Sequence, residues 1–159
     1  MREKQIIFLD VDGVLNCLPY CERTGKELNP ENIQRLKEIV DTTGAEIILS
    51  STWKHIWNDK DKTAQRMKRH LASALKKYGL SISGLTPNTE TGNRPEEIYL
   101  YLRGYKAENL DDDYRPEQYR LYHLEKHLVS TNFFCRDEKK GGLQDCHVQR
   151  AIEILKHRY

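Results

Sequence analysis

The first half of the chain alternates buried-strand and helix patterns. Residues 6–9 and 45–49 are two largely apolar runs, and uninterrupted apolar runs are typical of strands covered on both faces of a parallel sheet. Between them, Asn29-Pro30 is a favourable helix start and Gly44 a favourable helix end. The apolar residues of that segment recur at helical spacing. This strand–helix–strand order predicts a βαβ unit and a parallel sheet.

The second half continues the same alternation less regularly. The pattern predicts helices over residues 63–78 and 94–103, short strands over 80–82 and 127–129, and a last helix after Gly141-Gly142-Leu143. Residues 107–110 are a poor strand, and residues 16–28 read as a polar, turn-rich stretch. We therefore predict an α/β fold in one domain over residues 1–159: a three-layer sandwich around a mostly parallel sheet.

Composition narrows the class of protein only slightly. The 159 residues carry a net charge of +2 with 31% charged residues, which points to no particular partner. No apolar stretch approaches the roughly 20 residues that span a membrane, and the N-terminus lacks a signal-peptide pattern, so we expect no membrane partner and a cytoplasmic location. The four cysteines lack paired zinc spacing and are expected to be reduced thiols.

Two carboxylates follow the first strand directly. Asp10 and Asp12, in the run Asp-Val-Asp-Gly, are two residues apart at a strand end. Like charges at this spacing repel, so the site requires a cation or a shared proton. One aspartate can act as a nucleophile that forms an aspartyl-phosphate, and the other as a general acid and base. The alternative interpretation is an Asp-Gly hairpin turn.

The segment Phe-Leu-Asp-Val-Asp-Gly-Val-Leu-Asn resembles the first motif of haloacid dehalogenase (HAD) superfamily phosphatases. The resemblance implies a Rossmann-like fold and a phosphatase that forms a phosphoaspartate. It assigns Asp10 as the nucleophile and Asp12 as the acid and base. It also implies a Mg²⁺ cofactor bound by both aspartates, the second through its backbone carbonyl.

Later residues resemble the remaining motifs of that superfamily. Ser50, or Ser51 as the alternate, follows the second strand and matches the hydroxyl that binds phosphate; the other interpretation is a helix cap. Arg94, at the start of a helix, resembles the third-motif cation that offsets charge on the nucleophile and the phosphate. The other interpretation is a surface arginine. Lys54 is a second, weaker cation candidate.

The run Asp111-Asp112-Asp113 resembles the acidic fourth motif, whose carboxylates complete the metal site. Mg²⁺ prefers hard oxygen ligands and commonly takes one or two carboxylates. The chain departs from the family here, because the strand before the pair is weak. We predict Asp111 and Asp112 as metal ligands, with Asp113 as an open alternative, and a solvated acidic turn is the competing interpretation.

A narrower resemblance spans nearly the whole chain. The phrases LSSTW, RPEEI, LDDD, HLVSTN and GGL occur in the order found in small HAD domains associated with RNA repair proteins. The gaps over residues 16–28 and 84–93 fit a flap and a loop, so the resemblance implies minimal or no cap. An open cleft would admit an RNA or DNA terminus, favouring a 3′-phosphate.

Two surface features bear on that substrate. A basic helix face can follow a nucleic-acid backbone or be an ordinary solvated face; it comprises Arg66, Lys68, Arg69, Lys76 and Lys77. Three aromatics can stack on bases or fill the core; they are Tyr20, Trp53 and Trp57. The competing functions are a phosphatase of a small metabolite and a binding module with this fold.

Overall fold

The computed structural model describes residues 5–102, 106–111 and 116–157, without the side chains of 106–111 and 116. Its five strands are β1 (Gln5–Leu9), β2 (Glu46–Leu49), β3 (Ile82–Leu85), β4 (Lys106–Asp111) and β5 (Leu128–Ser130). They form one sheet of order β3-β2-β1-β4-β5, and every neighbouring pair is parallel. The predicted parallel sheet is confirmed, with β1 at its centre.

Helices cover both faces of the sheet. They are α1 (Leu18–Thr24), α2 (Pro30–Thr43), α3 (Lys62–Lys76), α4 (Arg94–Tyr101), α5 (Pro116–Arg120) and α6 (Asp145–Lys156). Side chains alternate along a strand, so Ile7 and Leu9 face one way with α2, α3 and α6. Ile6 and Phe8 face the other way with Ile98 of α4. The three-layer α/β/α sandwich is therefore confirmed; that residues 1–159 form a single domain stays a prediction.

Two local expectations were wrong, and the strength of one strand was underestimated. Residues 16–28 contain the helix α1, whose N-cap Cys17 makes no side-chain capping bond and so leaves a weak sequence signal. The third strand lies at Ile82–Leu85 instead of 80–82. The segment judged a poor strand is β4, which pairs with both β1 and β5. Hydrogen bonds to these two neighbouring strands stabilise β4, although its own residues have little strand propensity.

The insertions that could carry a cap are short. Between β1 and α2 the chain forms a loop and the seven-residue helix α1, and between β3 and α4 it forms only a loop. The fold is thus a Rossmann-like sandwich without a cap over the site end of the sheet. No helix in the described ranges has the length and apolar character needed to span a membrane.

Candidate active site

The register of the sheet aligns one polar residue from each strand. Leu9 of β1 pairs with Leu49 and with Leu110, and the alignment extends to Leu85 and Val129 in the outer strands. The next position along each strand forms a polar row: Thr86, Ser50, Asp10, Asp111 and Ser130. Ligands of open parallel sheets bind at these carboxyl ends, so the polar row marks the candidate site.

Asp10 lies at the centre of the polar row and is 2% exposed. Its Oδ1 accepts a hydrogen bond from the Val11 backbone N–H at 2.9 Å. Its Oδ2 accepts one from Nη1 of Arg94 at 3.0 Å, and Arg94 is itself buried. A guanidinium at this distance favours the ionised carboxylate, which is the form that can act as a nucleophile.

Arg94 reaches the site because α4 begins there. Asn93 caps the helix by accepting a hydrogen bond from the Glu96 N–H, and Pro95 lies in the first turn. The cap and the proline set where the helix starts, and this brings the guanidinium to the carboxyl end of β1. The predicted proximity of this arginine to the first-motif aspartate is therefore seen.

Asp12 is exposed and is oriented by two neighbours. The indole Nε1 of Trp53 donates to its Oδ2 at 3.0 Å, and Nδ2 of Asn16 donates to its Oδ1 at 2.9 Å. Asn16 also accepts from the Gly13 N–H at 2.8 Å, and Gly13 has a φ of 83°, which favours glycine. An exposed but fixed carboxylate can exchange a proton with substrate and with water.

Ser50 and Ser51 have different environments. Ser51 caps the short 3₁₀ helix Thr52–Ile56, since its side chain accepts a hydrogen bond from the Trp53 N–H. Ser50 lies beside Asp10 in the polar row, is 2% exposed, and its hydroxyl has no hydrogen-bond partner among the described residues. A buried hydroxyl without a partner is unusual, and it leaves Ser50 able to donate to a ligand.

Lys54 is committed to a buried ion pair. Its Nζ contacts a carboxylate oxygen of Glu97, which is also buried, and donates to the Pro87 carbonyl at 3.0 Å. The other carboxylate oxygen of Glu97 accepts from the Thr89 N–H at 3.1 Å. This pair fastens the loop after β3 to α4, so Lys54 positions the segment that carries Arg94.

The acidic run is only partly within the described residues. The backbone of Asp111 ends β4 and pairs with Ser130, one step beyond the pairing of Leu110 with Leu9. Asp112 and Asp113 lie outside the described residues, as does the side chain of Asp111. Among the side chains that are described, no group of three or more His, Cys, Asp or Glu forms a metal site.

The segments after β5 and before α6 hydrogen-bond to the loop that follows Asp12. Thr131 donates its hydroxyl to the Gly13 carbonyl at 2.6 Å, and the Leu143 N–H donates to the Val14 carbonyl at 2.8 Å. Gly142 has a φ of 66°, and a Cβ there would lie 2.2 Å from Nδ2 of Asn32. Gly142 therefore has to be glycine for this segment to pack against the loop after Asp12.

The aromatic candidates are mostly engaged within the protein. Trp53 and Tyr20 are buried, and the Tyr20 hydroxyl donates to the Leu28 carbonyl at 3.2 Å. Trp57 is half-buried, with the Lys68 ammonium 5.2 Å from its ring. The remaining basic residues of that face are exposed. Asn16 was missed by sequence reasoning, although it closes the first-motif segment.

Comparison with known families fits this geometry. The family model for the HAD domain in Swiss Army Knife RNA repair proteins matches residues 6–136. The chain belongs to this HAD family. The match covers β1 to β5, and hence every strand of the polar row. Searches of curated proteins and of solved structures each found no match.

Proposed function

We propose that this HAD domain is a Mg²⁺-dependent phosphatase that hydrolyses a phosphomonoester through a phosphoaspartate. The observation that carries the proposal is the convergence of Asp10, Ser50 and Arg94 at one point of the polar row. It combines a buried carboxylate, a guanidinium 3.0 Å from it and a buried hydroxyl that no described residue contacts by a hydrogen bond. Phosphoryl transfer depends mainly on such positioning and charge stabilisation.

The reaction would proceed in two steps. A carboxylate oxygen of Asp10 attacks phosphorus, the bond from phosphorus to the ester oxygen breaks, and Asp12 gives its proton to the departing oxygen. Asp12, now ionised, then takes a proton from water as the water oxygen attacks phosphorus. The bond from phosphorus to the Asp10 oxygen breaks, inorganic phosphate is released, and both aspartates return to their starting protonation states. Ser50 and Arg94 bind the phosphoryl oxygens throughout.

The donor set suits a hard cation. Asp10 offers a buried carboxylate, Asp111 stands level with it in the neighbouring strand, and no described residue donates to the Asp12 carbonyl. These oxygens, with Asp112 as a further ligand and Asp113 as the alternative, would hold Mg²⁺. The cation would offset the negative charge of the nucleophile and the phosphate.

The proposed substrate is a nucleotide or a nucleic-acid end, with a 3′-phosphate favoured. Two observations support it: the family is named for RNA repair proteins, and the sheet edge above Asp10 has no cap. A small phosphorylated metabolite is the competing substrate. Turnover of a 3′-phosphorylated oligonucleotide that is no faster than turnover of mononucleotides and sugar phosphates would favour the metabolite.

The first experiment measures hydrolysis of an aryl phosphate with Mg²⁺ and with EDTA. We expect Mg²⁺-dependent turnover that Asp10→Asn lowers by at least about 10³-fold. Asp41→Asn is the matched control, because Asp41 is an exposed aspartate that pairs with Lys37 on α2. Metal-independent turnover, or equal activity of Asp10→Asn and the control, would refute the proposal. Failure to form a beryllium fluoride complex would favour the non-enzymatic binding module.

The two serines provide a sharper test of the phosphate site. Ser50→Ala removes a hydroxyl without a protein partner, so we expect unchanged stability and about tenfold weaker inhibition by inorganic phosphate. Ser51→Ala removes a cap, so we expect a loss of about 1 kcal/mol in unfolding free energy and unchanged inhibition. The reverse assignment of these two effects would move the phosphate site to Ser51.

A further inference from the structure

A cavity of about 460 Å³ lies between the segment after α1 and the outer side of α3. Ligand sites typically enclose about 300–1,000 Å³, so it is large enough for one nucleotide unit. The described residues that line it are Gly25, Lys26, Glu27, Leu28, Arg66, Met67 and His70. We call it the flap cavity.

The flap cavity adjoins the proposed acid. The Nδ2 atom of Asn16 donates both to Asp12 Oδ1, at 2.9 Å, and to the Glu27 carbonyl, at 2.7 Å. Asn16 therefore links the backbone of one lining residue, Glu27, to the Asp12 carboxylate. On the other wall, Met67 packs against the core cluster that includes Trp53, the second residue that orients Asp12.

The lining suits a polyanion with an apolar ring attached. Lys26 and Arg66 are exposed cations, and the half-buried Met67 provides an apolar surface, with Leu28 beneath it at 6% exposure. Glu27 is the one acidic residue of the described lining, and its carboxylate lies 3.8 Å from His70 Nε2. Two cations beside an apolar surface match a phosphodiester next to a base. A free sugar phosphate would leave this lining unused.

We propose that the flap cavity binds the end of a single-stranded polynucleotide, namely the terminal nucleoside and the phosphodiester that links it to the rest of the strand. This inference rests on the proposed function, since it extends the substrate outward from the phosphate held at Asp10. Lys26 and Arg66 contact the phosphodiester, and Leu28 and Met67 contact the base. These residues act in substrate binding and take no part in bond breaking.

The kinetic test compares two charge reversals on one helix. Arg66→Glu acts in the cavity, whereas Arg69→Glu is the matched control, exposed on α3 but outside the lining. We expect Arg66→Glu to raise KM for a 3′-phosphorylated oligonucleotide at least about tenfold, with aryl phosphate kinetics within about twofold of wild type. Equal effects of both reversals would mean general electrostatic attraction and would overturn the inference.

A binding test separates this inference from the proposed function. Fluorescence anisotropy of a labelled single-stranded oligonucleotide on Asp10→Asn protein requires no turnover. We expect adding Arg66→Glu to weaken binding about tenfold and to reduce the salt dependence by about one phosphate contact. If the wild type has phosphatase activity but Arg66→Glu leaves binding unchanged, the cavity inference alone fails.

A competing path for the strand crosses the loop after β5, which contacts the start of α1. Phe134, in the loop after β5, is 79% exposed and is the aromatic side chain available there for stacking. In the same anisotropy assay, Phe134→Ala is expected to change binding less than twofold. A large loss with Phe134→Ala and none with Arg66→Glu would place the strand over that loop and overturn the inference.

Discussion

Replacing Asn16 with alanine is expected to weaken both folding and catalysis. The side chain is 2% exposed and forms three hydrogen bonds of 2.7 to 2.9 Å, to the Gly13 N–H, the Asp12 carboxylate and the Glu27 carbonyl. Gly13 is buried, so its N–H loses its partner without gaining water. Asp12 and Glu27 are exposed and can be hydrated instead. The Gly13 N–H therefore dominates the cost.

The expected loss follows from that difference in burial. A buried donor left without a partner costs about 1–3 kcal/mol, and each replaceable hydrogen bond about 0.5–1.5 kcal/mol. Asn16→Ala should therefore lower the free energy of unfolding by roughly 2–6 kcal/mol, measured by urea denaturation. It should also lower kcat about 10- to 100-fold, because Asp12 keeps only its Trp53 contact and is no longer held in one orientation.

Asn32→Ala separates positioning from stability. Asn32 is also buried and supports the same loop, donating to the Val14 carbonyl at 3.0 Å, but it does not contact Asp12. Asn32 also accepts from Nη1 of Arg35 at 3.2 Å, and the Val14 carbonyl keeps the Leu143 N–H. Losing these two replaceable hydrogen bonds should cost about 1–3 kcal/mol, and kcat should stay within about threefold of wild type. If Asn32→Ala lowers kcat as much as Asn16→Ala, loop destabilisation explains the effect and the positioning argument is refuted.

Three further outcomes are expected. Trp53→Phe keeps the ring but removes the donor to Asp12, so kcat should fall about 3- to 10-fold with about 1 kcal/mol lost in unfolding free energy; an unchanged kcat would contradict this. Glu97→Ala leaves the buried Lys54 ammonium uncompensated and should cost about 3–5 kcal/mol in urea denaturation, which adding Lys54→Met should largely restore. Burial, with a smaller contribution from the charge of Arg35, lowers the pKa of His147. The neutral imidazole accepts a hydrogen bond at Nδ1 from the backbone N–H of Gln144, the N-cap of α6. Because the unfolded state then binds the proton more readily, stability should fall as pH drops below about 6.5; a His147→Asn variant should show a flatter profile, and an equally steep one would contradict the assignment.

Local sequence signals predicted the parts of the fold whose determinants are local. Asn29-Pro30 and Gly44 bound α2, and the apolar run of β1 identified the central strand. β4 was underestimated because its sequence, Lys-Ala-Glu-Asn-Leu-Asp, carries little strand propensity, whereas two neighbouring strands provide its hydrogen bonds. Strand pairing over such sequence distances is not visible in a window of a few residues.

The candidate site also has features that local sequence predicts and features that depend on distant residues. Asp10, Asp12, Ser50 and Arg94 could be predicted as site residues because each follows a recognisable strand end or begins a helix, and their roles stay predictions. Our preference for Ser50 over Ser51 needed the structure, since it rests on the observation that Ser51 caps the turn. The partner of Lys54 also needed it, because Glu97 lies 43 residues further along. The position of Lys54 just after the second motif suggested a cation for the phosphate. In the structure its ammonium instead forms an ion pair with Glu97.

The candidate site combines two kinds of support, which suit the two chemical tasks that we propose for it. Asp10 and Ser50 continue buried strands, so the sheet fixes them, and a phosphoryl group requires fixed contacts in both steps. Asp12 is exposed on a loop and is oriented by hydrogen bonds from Asn16 and Trp53, and an acid that serves first a leaving group and then water requires access. Since Asn16 also holds the wall of the flap cavity, occupation of that cavity by a polynucleotide end would bear directly on how Asp12 is oriented.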